Sequence, residues 1–358
     1  MNHLRKIKFR NKRVFVRVDF NVPNYDMHAP RIIRTLPTIR FLLRQGAKVI
    51  LATHAESNDK KIPSTRELAK KLKSKYFGSL IFSPELFGGK TEKLVANLRP
   101  GGMVFLENLR IDPGEKKCDK KFARNLSKLA DFYINEAFSV SHRSHASIVL
   151  MPKLLPSSMG MLFENEVKNI SRAFRPKKPF LFILGGGKTE TKLPLLYALS
   201  KTADQVLLGG IIANDFLTGK VKPSRNFVLK KIILPHDVVI ETSDGKKVMP
   251  SNEINSSMRI YDVGPESLKE WANIVKMSRF VVWNGPLGFM EKGYIEGTKK
   301  LVSILKKSKA EIIIGGGDTA DFLEGKFPKN VFISTGGGAM LDFLSNKTLP
   351  GIEALKRK

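Results

Sequence analysis

The chain alternates short, unbroken apolar runs with longer segments of helical periodicity. Apolar runs without polar alternation are typical of parallel strands that are buried on both faces of a sheet. In the first half of the chain this pattern predicts strands at Val14–Val18, Lys48–Thr53, Leu80–Ser83, Met103–Glu107 and Phe132–Asn135. In the second half it predicts strands at Phe180–Leu184, Gln205–Leu208, Phe280–Trp283, Glu311–Ile314 and Val331–Ser334. Helical stretches lie between them, among them Leu36–Gln45, Thr65–Lys73 and Lys120–Leu129.

This repeat of strand, helix and strand favours the α/β class. We predict doubly wound, Rossmann-like αβα domains with parallel sheets. Because 358 residues exceed the length at which a single core usually stops growing, two domains are expected. A helical stretch at Met161–Phe174 follows Pro156 and ends before Pro176. We therefore predict an N-terminal domain over residues 1–155, a connecting hinge helix over 156–175 and a C-terminal domain over 176–345.

The net charge of the chain narrows the classes of molecule that it is expected to bind. Lys and Arg number 62 against 33 acidic residues, which gives a net charge of +29. Such a surplus attracts phosphorylated metabolites, nucleotides or nucleic acid. The basic residues are spread along the chain without the interleaved aromatic residues on which single-strand binders stack bases, so non-specific contact with nucleic acid and a merely solvated basic surface both stay open. Cys118 is the single cysteine, and no apolar run reaches membrane-spanning length. We expect a cytoplasmic protein without a membrane partner.

Charged side chains follow the predicted strands of the first half. In open parallel sheets, ligands bind beyond the carboxyl ends of the strands. These exits carry Asp19, Asn21, His54, Arg110 and, further on, Arg143, and Arg31 opens the helical segment after the first strand. Arginine makes bidentate contacts with phosphate and carboxylate groups. Each residue alone is more often a cap or a turn residue, but their shared position predicts a site for a small polyanion with hydroxyl groups.

Glycines follow the predicted strands of the second half. The five exits contain Gly186 with Lys188, Gly210, Asn284 with Gly285, Gly316-Gly317-Asp318-Thr319, and Gly337 with Gly338. Glycine lets the backbone approach a ligand closely, and the N–H groups of a following helix attract phosphate. Lys192 is near the start of one such helix and can reach a phosphate as a point charge. The GxxxxGK[ST] pattern of a P-loop is absent from the sequence, so we predict a nucleotide site of another design.

Asp318 adds a metal to this prediction. A carboxylate in a phosphate-binding loop repels the ligand unless a cation lies between them, and Mg²⁺ is the natural cation. The alternative role for Asp318 is a helix cap. The residues alone therefore predict an anionic small molecule on the first domain and a nucleotide with Mg²⁺ on the second.

Several motifs, in order along the chain, resemble those of phosphoglycerate kinases. The first half contains RVDFNVP at Arg17–Pro23, RIIRTLPT at Arg31–Thr38, LENLR at Leu106–Arg110, NEAF at Asn135–Phe138 and HRSHAS at His142–Ser147. The second half contains LGGGKTETK, WNGPLG, GGGDTA and STGGGA. The resemblance runs from about residue 14 to the LPGIEAL segment near the end of the chain.

The resemblance implies reversible phosphoryl transfer between 1,3-bisphosphoglycerate and ADP, which gives 3-phosphoglycerate and ATP in glycolysis. It implies a bilobal, monomeric enzyme whose segment 346–358 returns to the N-terminal domain. The family's substrate residues map onto Asp19, Asn21, Arg31, His54, Arg110 and Arg143. Its nucleotide residues map onto Lys192, Glu291, the run Gly316 to Thr319 and the glycines 336 to 338. Of these, Glu291 is the acid that holds the ribose. The catalytic positions are Arg31, Lys192, Gly337 and Gly338, and Asp318 holds Mg²⁺ through the nucleotide phosphates.

One segment departs from the family pattern. Where the family usually has His-Leu-Gly-Arg, this chain has His54-Ala55-Glu56-Ser57, so an arginine that grips the substrate phosphate is missing. We predict that Lys60 or Lys61 supplies the charge instead, as a less directional contact. The alternative is a weakly active or altered-substrate relative that binds nucleotides or nucleic acid.

Overall fold

The computed structural model describes residues 4–57, 61–221, 229–316 and 325–356. The chain divides into two compact units. The first comprises Met1–Val167 together with Thr348–Lys358, and the second comprises Lys168–Lys347. Within the described residues, no helix combines the length and the apolar character needed to cross a membrane.

The first unit is built on a six-stranded parallel sheet. Its strands are β1 (Arg13–Arg17), β2 (Lys48–Ala52), β3 (Ile81–Phe82), β4 (Met103–Phe105), β5 (Phe132–Asn135) and β6 (Ser157–Met159). They lie in the order β3-β4-β2-β1-β5-β6, which places β1 and β5 side by side. Its helices are α1 (Pro30–Arg44), α2 (Arg66–Lys75), α3 (Gly89–Ala96), α4 (Lys120–Ser127), α5 (Ala146–Val149) and α6 (Met151–Leu154).

Both faces of this sheet are covered, as the unbroken apolar runs predict. Val14 and Val16 of β1 pack into one hydrophobic cluster and Phe15 packs into another, and all three are fully buried. Successive side chains of a strand point to opposite faces, so one apolar run supplies two cores.

A buried carboxylate accepts hydrogen bonds from the N-terminus of the helix that follows β6. This helix, α7 (Met161–Ile170), is followed by a 3-10 turn at Ser171–Phe174. The Glu136 carboxylate, just after β5, accepts hydrogen bonds from the backbone N–H groups of Leu162 (3.0 Å) and Phe163 (3.1 Å). It thereby satisfies donors that a helix leaves unpaired at its N-terminus.

The second unit is also built on a six-stranded parallel sheet. Its strands are β7 (Phe180–Leu184), β8 (Gln205–Leu208), β9 (Ile232–Ile233), β10 (Asp237–Thr242), β11 (Gly245–Pro250), β12 (Ile260–Val263), β13 (Phe280–Asn284), β14 (Glu311–Gly315) and β15 (Val331–Ile333). The parallel sheet has the order β15-β14-β13-β7-β8-β9, and β11-β10-β12 form a small antiparallel sheet. The helices are α8 (Thr189–Ser200), α9 (Gly210–Leu217), α10 (Pro265–Met277), α11 (Glu296–Lys307) and α12 (Gly338–Asn346).

The C-terminal segment belongs to the first unit. Helix α13 (Pro350–Leu355) contacts α5 and α6, and the N–H of Gly351 donates to the Ser141 carbonyl at 2.9 Å. A Cβ at Gly351 would lie 2.7 Å from that of Ser141, so only glycine allows this approach without a shift.

The predicted fold class is confirmed: two α/β units carry parallel sheets, and every strand predicted from an apolar run overlaps a strand of the structure. The sequence patterns missed β6, β9 and the antiparallel sheet.

Candidate active site

Asp19 is the centre of the polar cluster in the first unit. It follows β1, is 4% exposed, and its Oδ2 atom lies 3.2 Å from Nη1 of Arg31. Ser139 Oγ donates a hydrogen bond to the same oxygen. Nη1 of Arg31 also donates to the backbone carbonyl of Asn21 at 3.3 Å. Burial by itself would raise the pKa of Asp19, but His54, Arg31, Ser139 and Arg17 outweigh it and hold that pKa below its usual value, so the carboxylate stays ionised.

His54 lies behind Asp19 and is almost completely buried. Its Nδ1 atom is 3.8 Å from Asp19 Oδ1 and 3.3 Å from Nη2 of Arg17. Burial lowers the pKa of His54 well below its usual value, and Asp19 opposes this only in part. The imidazole is therefore neutral at pH 7, and it acts as a hydrogen-bonding group and not as a cation.

A buried network of hydrogen bonds supports this cluster. Arg17 in β1 is fully buried, and its Nε donates to Ser147 Oγ at 2.9 Å. The Ser147 hydroxyl in turn donates to Glu115 Oε1 at 2.6 Å. The Glu115 carboxylate lies 3.9 Å from Nη2 of Arg17, so the buried charges are paired.

Arg110 and Arg143 add positive charge to the cluster. Arg110 is 4% exposed, and burial together with Arg143 and Arg17 lowers its pKa to about 10. Burial, Arg110, Arg17 and Arg143 lower the pKa of His145 to about 4. Several cations crowded at one sheet edge disfavour further positive charge, and an anionic ligand relieves that repulsion.

An open cavity of about 870 Å³ lies beside this cluster. Asn21, Glu56, Lys61, Arg110 and Lys116 are among the residues that line it. The Glu56 carboxylate forms an ion pair with the Arg110 guanidinium. The segment that departs from the family pattern thus places a carboxylate on a buried arginine, and the exposed Lys61 and Lys116 line the same cavity.

Lys192 is the central cation of the second unit. It lies in the first turn of α8, is 8% exposed, and its Nζ donates a hydrogen bond to Oδ1 of Asn284 at the end of β13. Asn284 is fully buried, and its Nδ2 has no hydrogen-bond partner among the described residues. Both side chains line a cavity of about 190 Å³ together with Gly186, Gly316, Gly337 and Gly338. A buried amide donor and an ammonium group at glycine-rich strand exits form a suitable site for phosphate oxygens.

The glycine loops of this unit also interlock with one another. The N–H of Gly186 donates to the Pro286 carbonyl at 2.6 Å, and the N–H of Gly210 donates to the Leu287 carbonyl at 2.9 Å. Gly210 has φ +58°, and a Cβ there would lie 2.5 Å from the Gly186 nitrogen. At Gly285, with φ +87°, a Cβ would lie 2.3 Å from the Gly185 carbonyl oxygen. Close packing between loops therefore requires some of the glycines that the sequence analysis attributed to ligand approach.

A larger cavity of about 320 Å³ continues from the glycine loops. Gly186, Gly210, Tyr261, Phe289 and Glu291 are among the residues that line it. Tyr261 and Phe289 stack with their ring centroids 6.2 Å apart, and the Arg259 guanidinium lies 5.4 Å from each ring centroid. An aromatic wall with a carboxylate beside it offers stacking area for a base and acceptors for ribose hydroxyls.

The structure brings most of the predicted site residues together. In the first unit Asp19, Asn21, Arg31, His54, Arg110 and Arg143 surround one sheet edge. In the second unit Gly186, Lys192, Gly210, Asn284, Glu291, Gly316, Gly337 and Gly338 line the two cavities. Lys188 is different: it is exposed, has φ +63° and is not among the lining residues. Gly317, Asp318, Thr319 and Lys60 lie outside the described residues.

Sequence reasoning missed several residues of these clusters. Arg17 and Ser139 contact His54 and Asp19, although neither was assigned a role from the sequence. Arg17 lies in the RVDFNVP motif. A charged residue within an otherwise apolar predicted strand is the feature of the sequence that indicates a buried polar role for it. Lys116 and the aromatic pair Tyr261–Phe289 gave no signal of periodicity or spacing.

Comparison with known proteins connects both sites to one family. A family model described as phosphoglycerate kinase matches residues 4–226 and 223–347. The chain belongs to the phosphoglycerate kinase family. The phosphoglycerate kinase of Coprothermobacter proteolyticus is 36% identical over 389 residues, which cover 99% of this chain and 98% of that relative. The phosphoglycerate kinase of Orientia tsutsugamushi, strain Ikeda, is 36% identical over 397 residues, which cover 100% and 98%.

Solved structures of the family also share the fold. The crystal structure of phosphoglycerate kinase from Pyrococcus horikoshii OT3 superposes with a TM-score of 0.86 and 30% identity, over 99% of this chain and 98% of that chain. The structure of phosphoglycerate kinase from Coxiella burnetii superposes with a TM-score of 0.80 and 30% identity, over 98% of both chains. The fold and motif order of the phosphoglycerate kinase family thus extend over nearly the whole chain.

Proposed function

We propose that this chain is an active phosphoglycerate kinase that transfers a phosphoryl group reversibly between 1,3-bisphosphoglycerate and ADP. The observation that carries the proposal is the pairing of two sites within a full-length family match. One unit carries a cluster of arginines around the ionised Asp19, and the other carries Lys192 and Asn284 among glycine-rich loops. The first cluster suits a phosphorylated carboxylic acid, and the second suits the phosphates of a nucleotide.

The glycerate is assigned to the first unit. Asp19 accepts a hydrogen bond from its hydroxyl group, the Asn21 amide lies beside the same group, and neutral His54 packs behind Asp19, with Nδ1 3.8 Å from Oδ1. Arg110 and Arg143 bind the non-transferred phosphate group, and Lys61 stands in for the arginine that is absent at Ser57. Arg31, held by Asp19 at 3.2 Å, is assigned to the reacting carboxylate.

The nucleotide is assigned to the second unit. The base packs between Gly210 and the Tyr261–Phe289 wall, and Glu291 accepts the ribose hydroxyls. Lys192, Asn284 and the glycine loops around Gly186 and Gly337 hold the phosphates. Lys188 contributes long-range positive charge from its exposed position. Mg²⁺ bound with the phosphates and Asp318 would neutralise part of their charge.

The chemistry requires little beyond positioning and charge. In direct in-line transfer, negative charge spreads over the oxygens of the moving phosphoryl group and no covalent enzyme intermediate forms. Arg31 and Lys192 stabilise this charge because both are fixed in advance, by Asp19 and by Asn284. The N–H groups at the start of α12, next to Gly337 and Gly338, add donors to the cavity that Lys192 lines in the second unit.

A coupled assay tests the proposal. Purified protein is given ATP, Mg²⁺ and 3-phosphoglycerate, and ADP formation is followed. We expect saturable turnover that depends on both substrates. Turnover with another carboxylic acid and none with 3-phosphoglycerate would assign a different substrate, and turnover with neither would reject the activity.

Two further properties are proposed with the activity. We propose that the enzyme is cytoplasmic and monomeric, as for a soluble enzyme of central metabolism. The other function considered above, a weakly active relative that binds nucleic acid, rests on the net charge of +29, and we do not adopt it.

A further inference from the structure

Among its described lining residues, the cavity beside Asp19 has one carboxylate and several cations. Arg110, Lys61 and Lys116 line it together with Glu56, whose carboxylate pairs with Arg110. The side chain of Arg110 is 2% exposed, whereas that of Glu56 is 49% exposed. The guanidinium is thus held inside the protein, and the carboxylate approaches it from the solvent side.

The backbone of Glu56 and of its neighbour Ala55 is held by hydrogen bonds, so the Glu56 side chain alone has to move to release Arg110. The N–H of Glu56 donates to Asn21 Oδ1 at 3.0 Å. The amide of Asn108 accepts from the N–H of Ala55 at 3.2 Å and donates to its carbonyl at 2.9 Å. A rotation of the Glu56 side chain therefore releases Arg110 without rebuilding the loop.

Arg110 needs an anionic partner. It is buried beside Arg143 and Arg17, both of which lower its pKa, whereas Glu115 and Asp19 raise it only in part. Its Nε and Nη1 atoms have no hydrogen-bond partner among the described residues, apart from the ion pair of Nη1 with Glu56. A buried guanidinium without a counter-ion is strongly unfavourable. Glu56 meets this need in the free protein, and a phosphate or carboxylate group of a ligand would take its place on Arg110.

We infer that Glu56 is a resident counter-ion that the anionic end of the substrate has to displace from Arg110, so that Glu56 sets the affinity of this cavity for its ligand. The inference rests on the proposed function only for the identity of that ligand, a phosphoglycerate. The departure at His54-Ala55-Glu56-Ser57 then has two effects: it removes an arginine and adds a competing carboxylate.

The size of the effect follows from competition. The apparent dissociation constant equals the intrinsic one divided by the fraction of molecules in which Arg110 is released. If the ion pair is formed about 80–90% of the time, the affinity is reduced roughly five- to tenfold. A phosphate dianion displaces Glu56 more readily than a single carboxylate does, because its attraction to the guanidinium grows with its charge.

Steady-state kinetics of Glu56→Gln test the inference. The matched control is Glu92→Gln, which changes the net charge equally at an exposed position of α3 outside the cavity lining. Relative to that control, Glu56→Gln should lower KM for 3-phosphoglycerate roughly five- to tenfold, with kcat changed about twofold at most. A KM that is unchanged or raised overturns the inference. Glu56→Ala repeats the comparison without an amide that can still accept from Arg110.

A binding measurement separates this inference from the proposed activity. The thermal unfolding temperature of each variant is recorded during a titration with inorganic phosphate. Glu56→Gln should be stabilised at a lower phosphate concentration than Glu92→Gln. If no variant turns over 3-phosphoglycerate but this difference is present, only the proposed function fails. If turnover is normal and the two variants respond alike to phosphate, the inference about Glu56 fails.

Discussion

Lys192 and Asn284 meet across two strand exits, where the lysine ammonium donates to the asparagine amide oxygen inside the second unit. The contact fixes a lysine that is 8% exposed at the start of α8, next to loops that offer backbone N–H groups. A fixed ammonium group needs no reorganisation when negative charge develops on a phosphoryl group. The pair is therefore the part of the nucleotide site that we expect to matter most for rate.

Removal of this ammonium group should reduce the rate and not merely the affinity. Lys192→Ala is expected to lower kcat roughly 100- to 1000-fold, as the loss of one preorganised donor does in other sites. The matched control is Lys201→Ala, an exposed position directly after α8. Steady-state kinetics with both substrates saturating give the comparison. A kcat for Lys192→Ala close to that of the control would remove Lys192 from the transition state.

Arg31 is expected to act in the same way from the first unit. Arg31→Ala should lower kcat by roughly two orders of magnitude or more, because the guanidinium held by Asp19 is a preorganised charge. Arg40→Ala, at an exposed position of the same helix α1, serves as the control. Near-normal kcat in Arg31→Ala, measured at saturating 3-phosphoglycerate, would disprove this role.

Lys61 and Lys116 should determine how tightly the glycerate binds. The double variant Lys61→Ala with Lys116→Ala is expected to raise KM for 3-phosphoglycerate roughly three- to tenfold, since solvent-exposed ionic contacts are each worth up to about 1 kcal/mol. Lys117→Ala, an exposed neighbour that is not among the cavity residues, is the control. If KM in the double variant matches that of the control, the replacement for the missing arginine lies elsewhere.

The buried carboxylate of Glu136 should make stability depend on pH. Burial raises its pKa to about 7, against the hydrogen bonds from Thr38, Leu162 and Phe163. The folded pKa is above the unfolded value, so the folded state binds more protons and stability falls as pH rises from about 4.5 to about 7. Glu136→Gln lacks this titration. Its unfolding free energy relative to the unmodified chain should therefore rise by roughly 1–3 kcal/mol between about pH 5 and pH 8.

Urea unfolding at a series of pH values measures this difference. Glu92→Gln, which removes an exposed carboxylate of α3, serves as the control and should show little change in its relative stability. A constant difference between Glu136→Gln and the unmodified chain across this pH range would mean that Glu136 ionises in the folded state as easily as in the unfolded state.

The parallel sheets were predictable because they are buried on both faces. Runs such as Phe180–Leu184 are fully apolar and coincide with β7 residue for residue. Strand β6, Ser157–Met159, is polar and only half-buried, so hydrophobicity gave no signal for it. The hairpin of β10 and β11 was missed because its two-residue loop, Ser243-Asp244, lacks the glycine that usually marks such a turn; Gly245, with φ +108°, is already the first residue of β11.

The site was predictable in its residues but not in its contacts. The rule that ligands bind beyond strand ends selected Asp19, His54 and Asn284. In the structure, Asp19 and His54 are neighbours within the first unit, and Asn284 contacts Lys192 within the second. The pairing of Glu56 with Arg110 depends on a loop conformation and a side-chain rotamer, which periodicity does not encode. Likewise, the contact between Gly185 and Gly285 arises from loops that are distant in sequence.

The most direct test of the central claim detects the acyl phosphate itself. The protein is incubated with ATP, Mg²⁺ and 3-phosphoglycerate in the presence of hydroxylamine, which converts a carboxyl phosphate to a hydroxamate and leaves phosphate esters intact. We predict that hydroxamate forms in proportion to the protein, requires both substrates, and falls to the background level in Lys192→Ala. Folded protein that binds ATP with Mg²⁺ but forms no hydroxamate would contradict the claim that it transfers a phosphoryl group to the carboxylate of 3-phosphoglycerate.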